Sequence, residues 1–124
     1  MKFLTVEPSS PEDLKLQEVP SQVLDGGTVP LVSNAITVSP TGQLHAVLTL
    51  GGVTSTRQLR TINGGTSGRI YVLRNSPLST GDLIIDDEAD NIVSAGNFTM
   101  NSPKDTITFV YDGVSFVELC RSNN

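Results

Sequence analysis

Thiols and imidazoles are almost missing from this chain: Cys120 is its one cysteine and His45 its one histidine among 124 residues. No intrachain disulfide can form, which excludes a disulfide-stapled secreted scaffold. One chain cannot assemble a zinc site built mainly from Cys and His. A Cys120–His45 nucleophile pair is conceivable on paper, but both residues sit in strand patterns with no motif around them, and ordinary strand residues are the plainer reading. Tryptophan is absent, and the aromatics are four Phe and two Tyr. Positive charge is also short: 8 Lys and Arg against 13 Asp and Glu leave a net −5. An acidic chain lacks the electrostatic footprint of a nucleic-acid binder. Apolar runs stop at about four residues, far below a membrane span, and "MKFLTVEPSSPED" is too brief for a secretory apolar region. A soluble chain beginning at Met1 is the expectation.

Catalytic signatures are equally sparse. "NGGTSG" lies between strand patterns and not in the strand–helix setting of a phosphate loop, and no G-x-S-x-G elbow occurs. Asp86, Asp87, Glu88 and Asp90 in "IIDDEADN" supply paired carboxylates. Glycosidase carboxylates are usually drawn from separate elements flanking a cleft. Calcium suits hard oxygen ligands of this kind, with Asn91 beside them, but the EF-hand spacing is missing. A solvated acidic loop is the default reading, and no catalytic, cofactor or metal residue is assigned.

What is present is β-sequence. Composition changes near residue 28, dividing the chain into an arm, 1–28, and a head, 29–124. The arm carries Pro8, Pro11 and Pro20 and a scatter of apolar residues: Phe3, Leu4, Val6, Leu14, Leu16 and Val19. Its helix-start signature at Ser10-Pro11-Glu12-Asp13 supports two turns at most, too short to stand alone. Fully extended, such an arm reaches about 90 Å. Its charge is net −3, from Lys2 and Lys15 against Glu7, Glu12, Asp13, Glu18 and Asp25. From residue 29 on, β-branched runs alternate with Gly, Asn, Asp and Pro breaks: "AITVS", "QLHAVLTL", "RQLRTI", "RIYVLRN", "DLIID", two short strands in "NIVSAGNFTM", then "DTITFVY" and "VSFVELC". Short strands at this spacing predict an all-β, antiparallel sandwich or barrel-like knob. No repeat long enough to mark a solenoid stands out.

The last two runs flank Asp112-Gly113, a type I′ hairpin signal that predicts Phe109 opposite Phe116 and Thr108 opposite Val117. Both faces of that hairpin carry apolar residues, whereas a surface hairpin normally keeps one polar face. A thin core in a small β-domain is commonly supplemented by oligomerisation. Phe109, Phe116, Val117 and Leu119 are therefore the candidates for a subunit interface.

The stretches "LRTINGGTSGRIYVLRN", "DNIVSAGNFTM" and "DTITFVYDGVSFVELCRSNN" together resemble a segment common in tailed-phage virion surface proteins: fibre tips, head fibres and capsid decoration proteins. The resemblance covers Leu59 to Asn124, about half the chain; the acidic "DDEADN" loop and the arm depart from it. It implies a compact β-domain that assembles as a homotrimer on the virion exterior, made in the host cytoplasm, without enzymatic activity or cofactor. Lacking heptads or repeats for a fibre shaft, the chain suits a decoration or cement protein whose arm contacts the major capsid protein or another virion protein. The alternatives are a fibre-tip or receptor-binding module and a carbohydrate-binding β-sandwich. The last requires exposed aromatics over a groove, and no stacking platform is visible. No membrane or nucleic-acid partner is expected.

Overall fold

The computed structural model describes residues 23–38 and 45–124, the side chains of 23–26 and 45 aside. The arm candidates Phe3, Leu4, Val6, Leu14, Leu16 and Val19 lie outside the described residues, as does the short helix signature. Eleven strands and no helix make up the described chain. They are β1 Val23–Val29, β2 Ala35–Thr37, β3 His45–Leu50, β4 Arg57–Leu59, β5 Thr61–Asn63, β6 Ile70–Arg74, β7 Leu83–Ile85, β8 Ile92–Val93, β9 Phe98–Met100, β10 Thr106–Tyr111 and β11 Phe116–Ser122. The expected division at residue 28 falls inside β1, which pairs with β3 along its length.

The all-β class matches expectation; the antiparallel sandwich does not. The chain winds in stacked coils, a β-solenoid-like arrangement. β1, β3 and β6 stack in parallel on one face, β2 and β5 on a second, β4 and β7 on a third. Each coil brings the chain back over itself, so neighbours in a stack run the same way, which a hairpin-built sandwich cannot do. The inward positions explain the stacking: Ile36 lies beside Ile62, Leu59 beside Ile85, Ala46 beside Tyr71 and Leu48 beside Leu73, each pair 25 or 26 residues apart. All eight are buried. The period is carried by these few inward apolar positions, each stacked on its counterpart one coil away. Asn91 continues the second stack by imitating a peptide unit. Its Oδ1 accepts from Ile62 N at 3.1 Å, and its Nδ2 donates to Ile62 O at 2.7 Å.

The final third closes the stack. β10 runs antiparallel to β6 and β11 antiparallel to β10, while β8 lies parallel to β11 and finishes a six-stranded sheet of order β1-β3-β6-β10-β11-β8. β9 caps β7 in the third stack.

The closing hairpin differs from the two-residue type I′ expectation. That turn needs φ > 0 at both central residues, and only Gly113 has it, at 99°. The Asp112 carboxylate instead accepts the backbone N–H groups of Val114 at 2.8 Å and Ser115 at 2.7 Å, and holds a four-residue loop. Tyr111 therefore opposes Phe116, Val110 opposes Val117, and Phe109 opposes Glu118. A bulge then restores the alternation, so that Thr108 opposes Cys120. A two-residue turn with both φ positive does occur at Ser33-Asn34 (52° and 64°), closed by reciprocal Val32–Ala35 hydrogen bonds of 2.9 and 3.0 Å.

The core is mainly aliphatic, with an aromatic cluster under the six-stranded sheet. The Phe116 ring lies 5.5 Å from Tyr71, 6.3 Å from Phe109 in an edge-on arrangement, and 4.6 Å from Tyr111. Phe109, Phe116 and Tyr71 are fully buried. The "LRTINGGTSGRIYVLRN" stretch and the closing hairpin meet here. At Gly64 (φ 86°) a Cβ would strike Val38 O, and at Gly65 it would lie 2.5 Å from Phe116 Cζ and 2.8 Å from Tyr111 Cγ. The "TINGG" turn is thus fitted against the "FVYDG" hairpin, each glycine removed from the path of a neighbour.

Candidate interaction surface

Strand alternation sends one side chain in two to the outer face of the six-stranded sheet. Register places these in transverse rows. The first runs Ile70, Val110, Val117, Val93 across β6, β10, β11 and β8. The second runs Val47, Val72, Thr108, Cys120, and the third Thr49, Arg74, Thr106, Ser122. The first row is wholly β-branched and aliphatic, and Arg74 is the one charged side chain among these twelve. Val93 is 44 % exposed, and Leu119, beside the bulge, 54 %. With Ser94, Ala95, Val117 and Glu118 they border a shallow groove of about 340 Å³ at the β8 edge.

The four interface candidates are divided by this geometry. Phe109 and Phe116 point inward and belong to the chain's own core. Val117 and Leu119 are on the outer side, and Val110 and Val93 join Val117 in its row. The apolar residues on both faces of the hairpin therefore have two separate roles, one facing the aromatic cluster and one facing out. Ile70 and Val93 were missed from sequence, since their part in the row depends on which strands lie side by side. Alternation within "RIYVLRN" was the available signal.

Beneath the β8 edge, Glu118 and Arg121 form an ion pair with N–O distances of 2.8 Å. Arg121 also donates to Gly96 O at 2.8 Å and lies 4.8 Å from the Phe98 ring centre. Glu118 accepts the Ala95 N–H at 2.8 Å. The Arg121 hydrogen bond, aided by the Ala95 N–H, holds the Glu118 carboxyl below its usual range despite burial; the same bond raises Arg121. This pair fixes the 94–97 connection, hence the groove's edge.

The remaining sequence candidates do not converge. His45 and Cys120 are on strands separated by β6 and β10, three strand spacings or about 14 Å. Three of the four carboxylates of the acidic loop are taken up by neighbouring side chains or backbone. Asp87 accepts from Ser94 N and Oγ, Asp90 accepts from the Thr61 hydroxyl, and Asp86 pairs with Arg60 at 3.4 Å. No group of three or more His, Cys, Asp or Glu side chains among the described residues is placed to hold a metal ion. No helix among them is long and apolar enough to cross a membrane. Of the aromatic rings described, none is exposed; Tyr111 alone is half-buried. No protein-family model, no curated protein and no solved structure matches the chain.

Proposed function

We propose that this chain is a non-catalytic structural protein of a tailed-phage virion, a capsid decoration protein that assembles as a homotrimer on the outer surface of the shell. The observation that carries the reading is the packing of the resembling stretches. "TINGG", "YVLRN", "GNFTM" and the closing hairpin are neighbours in one folded unit, with Gly65 directly under the Phe116 and Tyr111 rings. What supports the reading is that the resembling stretches are neighbours in space as well as in sequence. The aliphatic row Ile70, Val110, Val117 and Val93 supplies an uncharged, β-branched surface suited to association between copies. The residues preceding β1 are the proposed attachment to the major capsid protein. The lack of an exposed aromatic among the described residues favours decoration over a glycan-binding knob, where rings stack on sugar faces.

The test is co-sedimentation of the chain with capsids of its own phage assembled without it, beside a form lacking residues 1–20. The full chain is expected to pellet with the capsids at saturable stoichiometry, and the shortened form to stay in the supernatant with an unchanged melting profile. Equal pelleting of both forms would place the attachment in the head. Failure of the full chain to pellet would overturn the decoration reading.

A further inference from the structure

A second concave site lies where the third, polar row of the sheet meets two loops. It is a groove of about 460 Å³ lined by Thr28, Thr49, Gly52, Arg74, Asn75, Ser76, Pro77, Leu78 and Pro103, within the size range of small-molecule sites. Its walls are fixed. Thr80 N and Gly81 N donate to Val53 O at 2.8 and 3.0 Å, and Val53 N donates to Ser79 Oγ at 3.1 Å, which ties the 51–56 loop to the 75–82 loop. A Cβ at Gly81 would lie 2.5 Å from the Ser55 backbone, so the two loops approach too closely at this point for any side chain. Asn75, buried below, donates to Ser102 O at 3.0 Å and accepts Ser76 N at 2.9 Å, which anchors the floor.

Two groups in this groove have unused hydrogen-bond donors. Arg74 gives its Nε–H and one Nη2–H to Thr49 Oγ1, at 3.1 and 2.7 Å. Of the five N–H groups of a guanidinium, this leaves the paired Nη1–Nη2 end directed away from its one anchor, and no carboxylate among the described residues forms a salt bridge with it. Ser76 is only 4 % exposed; its Oγ accepts Leu78 N at 3.0 Å, and its own proton has no acceptor among the described residues. A buried hydroxyl proton without a partner is costly. Around these donors stand Pro77, Pro103 and the 79 %-exposed Leu78.

We propose that this groove binds a small monocarboxylate, its two oxygens on the Arg74 guanidinium and the Ser76 hydroxyl and its apolar body against Pro77, Leu78 and Pro103. A planar guanidinium end matches a carboxylate in two parallel bonds. A single cation in a chain of net charge −5 suits a monoanion; a phosphate dianion would retain uncompensated charge. The apolar wall adds affinity for a body larger than acetate.

The experiment titrates benzoate, and its neutral isostere benzamide, into the ¹⁵N-labelled full chain. Benzoate is expected to move the amide signals of Thr28, Thr49, Gly52 and Ser76 with a dissociation constant of about 1 mM, and benzamide at least tenfold more weakly. Arg74→Gln, at an exposed position, should leave the remaining spectrum intact and weaken benzoate at least tenfold. Ser76→Ala should weaken it severalfold. Equal affinity for benzamide, retention of benzoate binding by Arg74→Gln, or no movement of these signals at about 20 mM benzoate would each overturn the assignment.

Discussion

Replacing Gly65 by alanine probes the junction on which the domain closes. Gly65 has no positive φ, so alanine meets no left-handed-backbone penalty; the cost is steric, offset in part by about 0.4–1 kcal/mol from a less flexible unfolded chain. The new methyl would lie 2.5 Å from Phe116 Cζ and 2.8–2.9 Å from Tyr111 Cγ and Cδ2. Phe116 is fully buried and in contact with three other rings, so it has nowhere to retreat; Tyr111, half-buried, can tilt outward. Overpacking of this kind costs about 1–3 kcal/mol. At a urea slope of about 1.5 kcal/mol/M, a loss of about 2 kcal/mol lowers the unfolding midpoint by about 1.3 M. The assay is urea unfolding followed by tyrosine fluorescence and circular dichroism, at one fixed protein concentration so that association contributes equally throughout. A second variant identifies the cause. Phe116→Leu alone leaves space and costs about 1–2 kcal/mol, but it opens the volume that the methyl of Gly65→Ala needs. The double variant should therefore be more stable than the two losses added, by about 1 kcal/mol. Additivity within about 0.3–0.5 kcal/mol, or an unchanged midpoint for Gly65→Ala, would refute the claim that the "TINGG" turn is fitted against the hairpin.

Asp105, fully buried, accepts Asn101 N, Ser102 N and Asn124 N at 2.9, 3.1 and 2.7 Å; Asp105→Ala should cost about 2–4 kcal/mol in a urea melt and release the C-terminal residues to proteolysis. Glu118 titrates below its unfolded value, so its contribution is present above about pH 4.3 and declines as pH falls through the lower folded value. Glu118→Gln should be destabilised by about 1–3 kcal/mol at pH 7, and its stability should fall less steeply than the parent's below about pH 4.3, as read from urea midpoints against pH. Val117→Asp places a charge in the aliphatic row and should turn a species of about 40 kDa, three chains of 13.2 kDa, into a folded monomer by light scattering; a parent that is itself a stable monomer contradicts the homotrimer.

Strand positions were legible because β-branched runs and Gly, Asn and Pro breaks act locally. "RIYVLRN" and "DLIID" overshoot β6 and β7 by a residue or so at each end. "RQLRTI" splits into β4 and β5 because Arg60 turns the corner between two stacks. Topology was not legible, since it depends on which strands return to lie side by side. The clue was an apolar recurrence at 25–26 residues, as in Ile36 and Ile62 or Leu48 and Leu73. So few coils, with dissimilar residues between, hide such a period. The turn at Asp112-Gly113 departs from its sequence signal because an aspartate can cap the next amides with its side chain instead of adopting a positive φ. The interface candidates separated for a related reason: a hairpin read alone does not reveal which face meets its own core. Neither groove was visible, because Arg74, Ser76 and Leu78 reach one site only through the loop packing that Gly52 and Gly81 permit.

The most direct test of the proposed decoration role is electron cryomicroscopy of capsids of the phage that the chain is proposed to decorate, assembled without it and then incubated with it. The expected result is added density on the outside of the shell at three-fold positions, with three copies of the solenoid-like domain in each knob. Bare shells, or density confined to the tail, would contradict it.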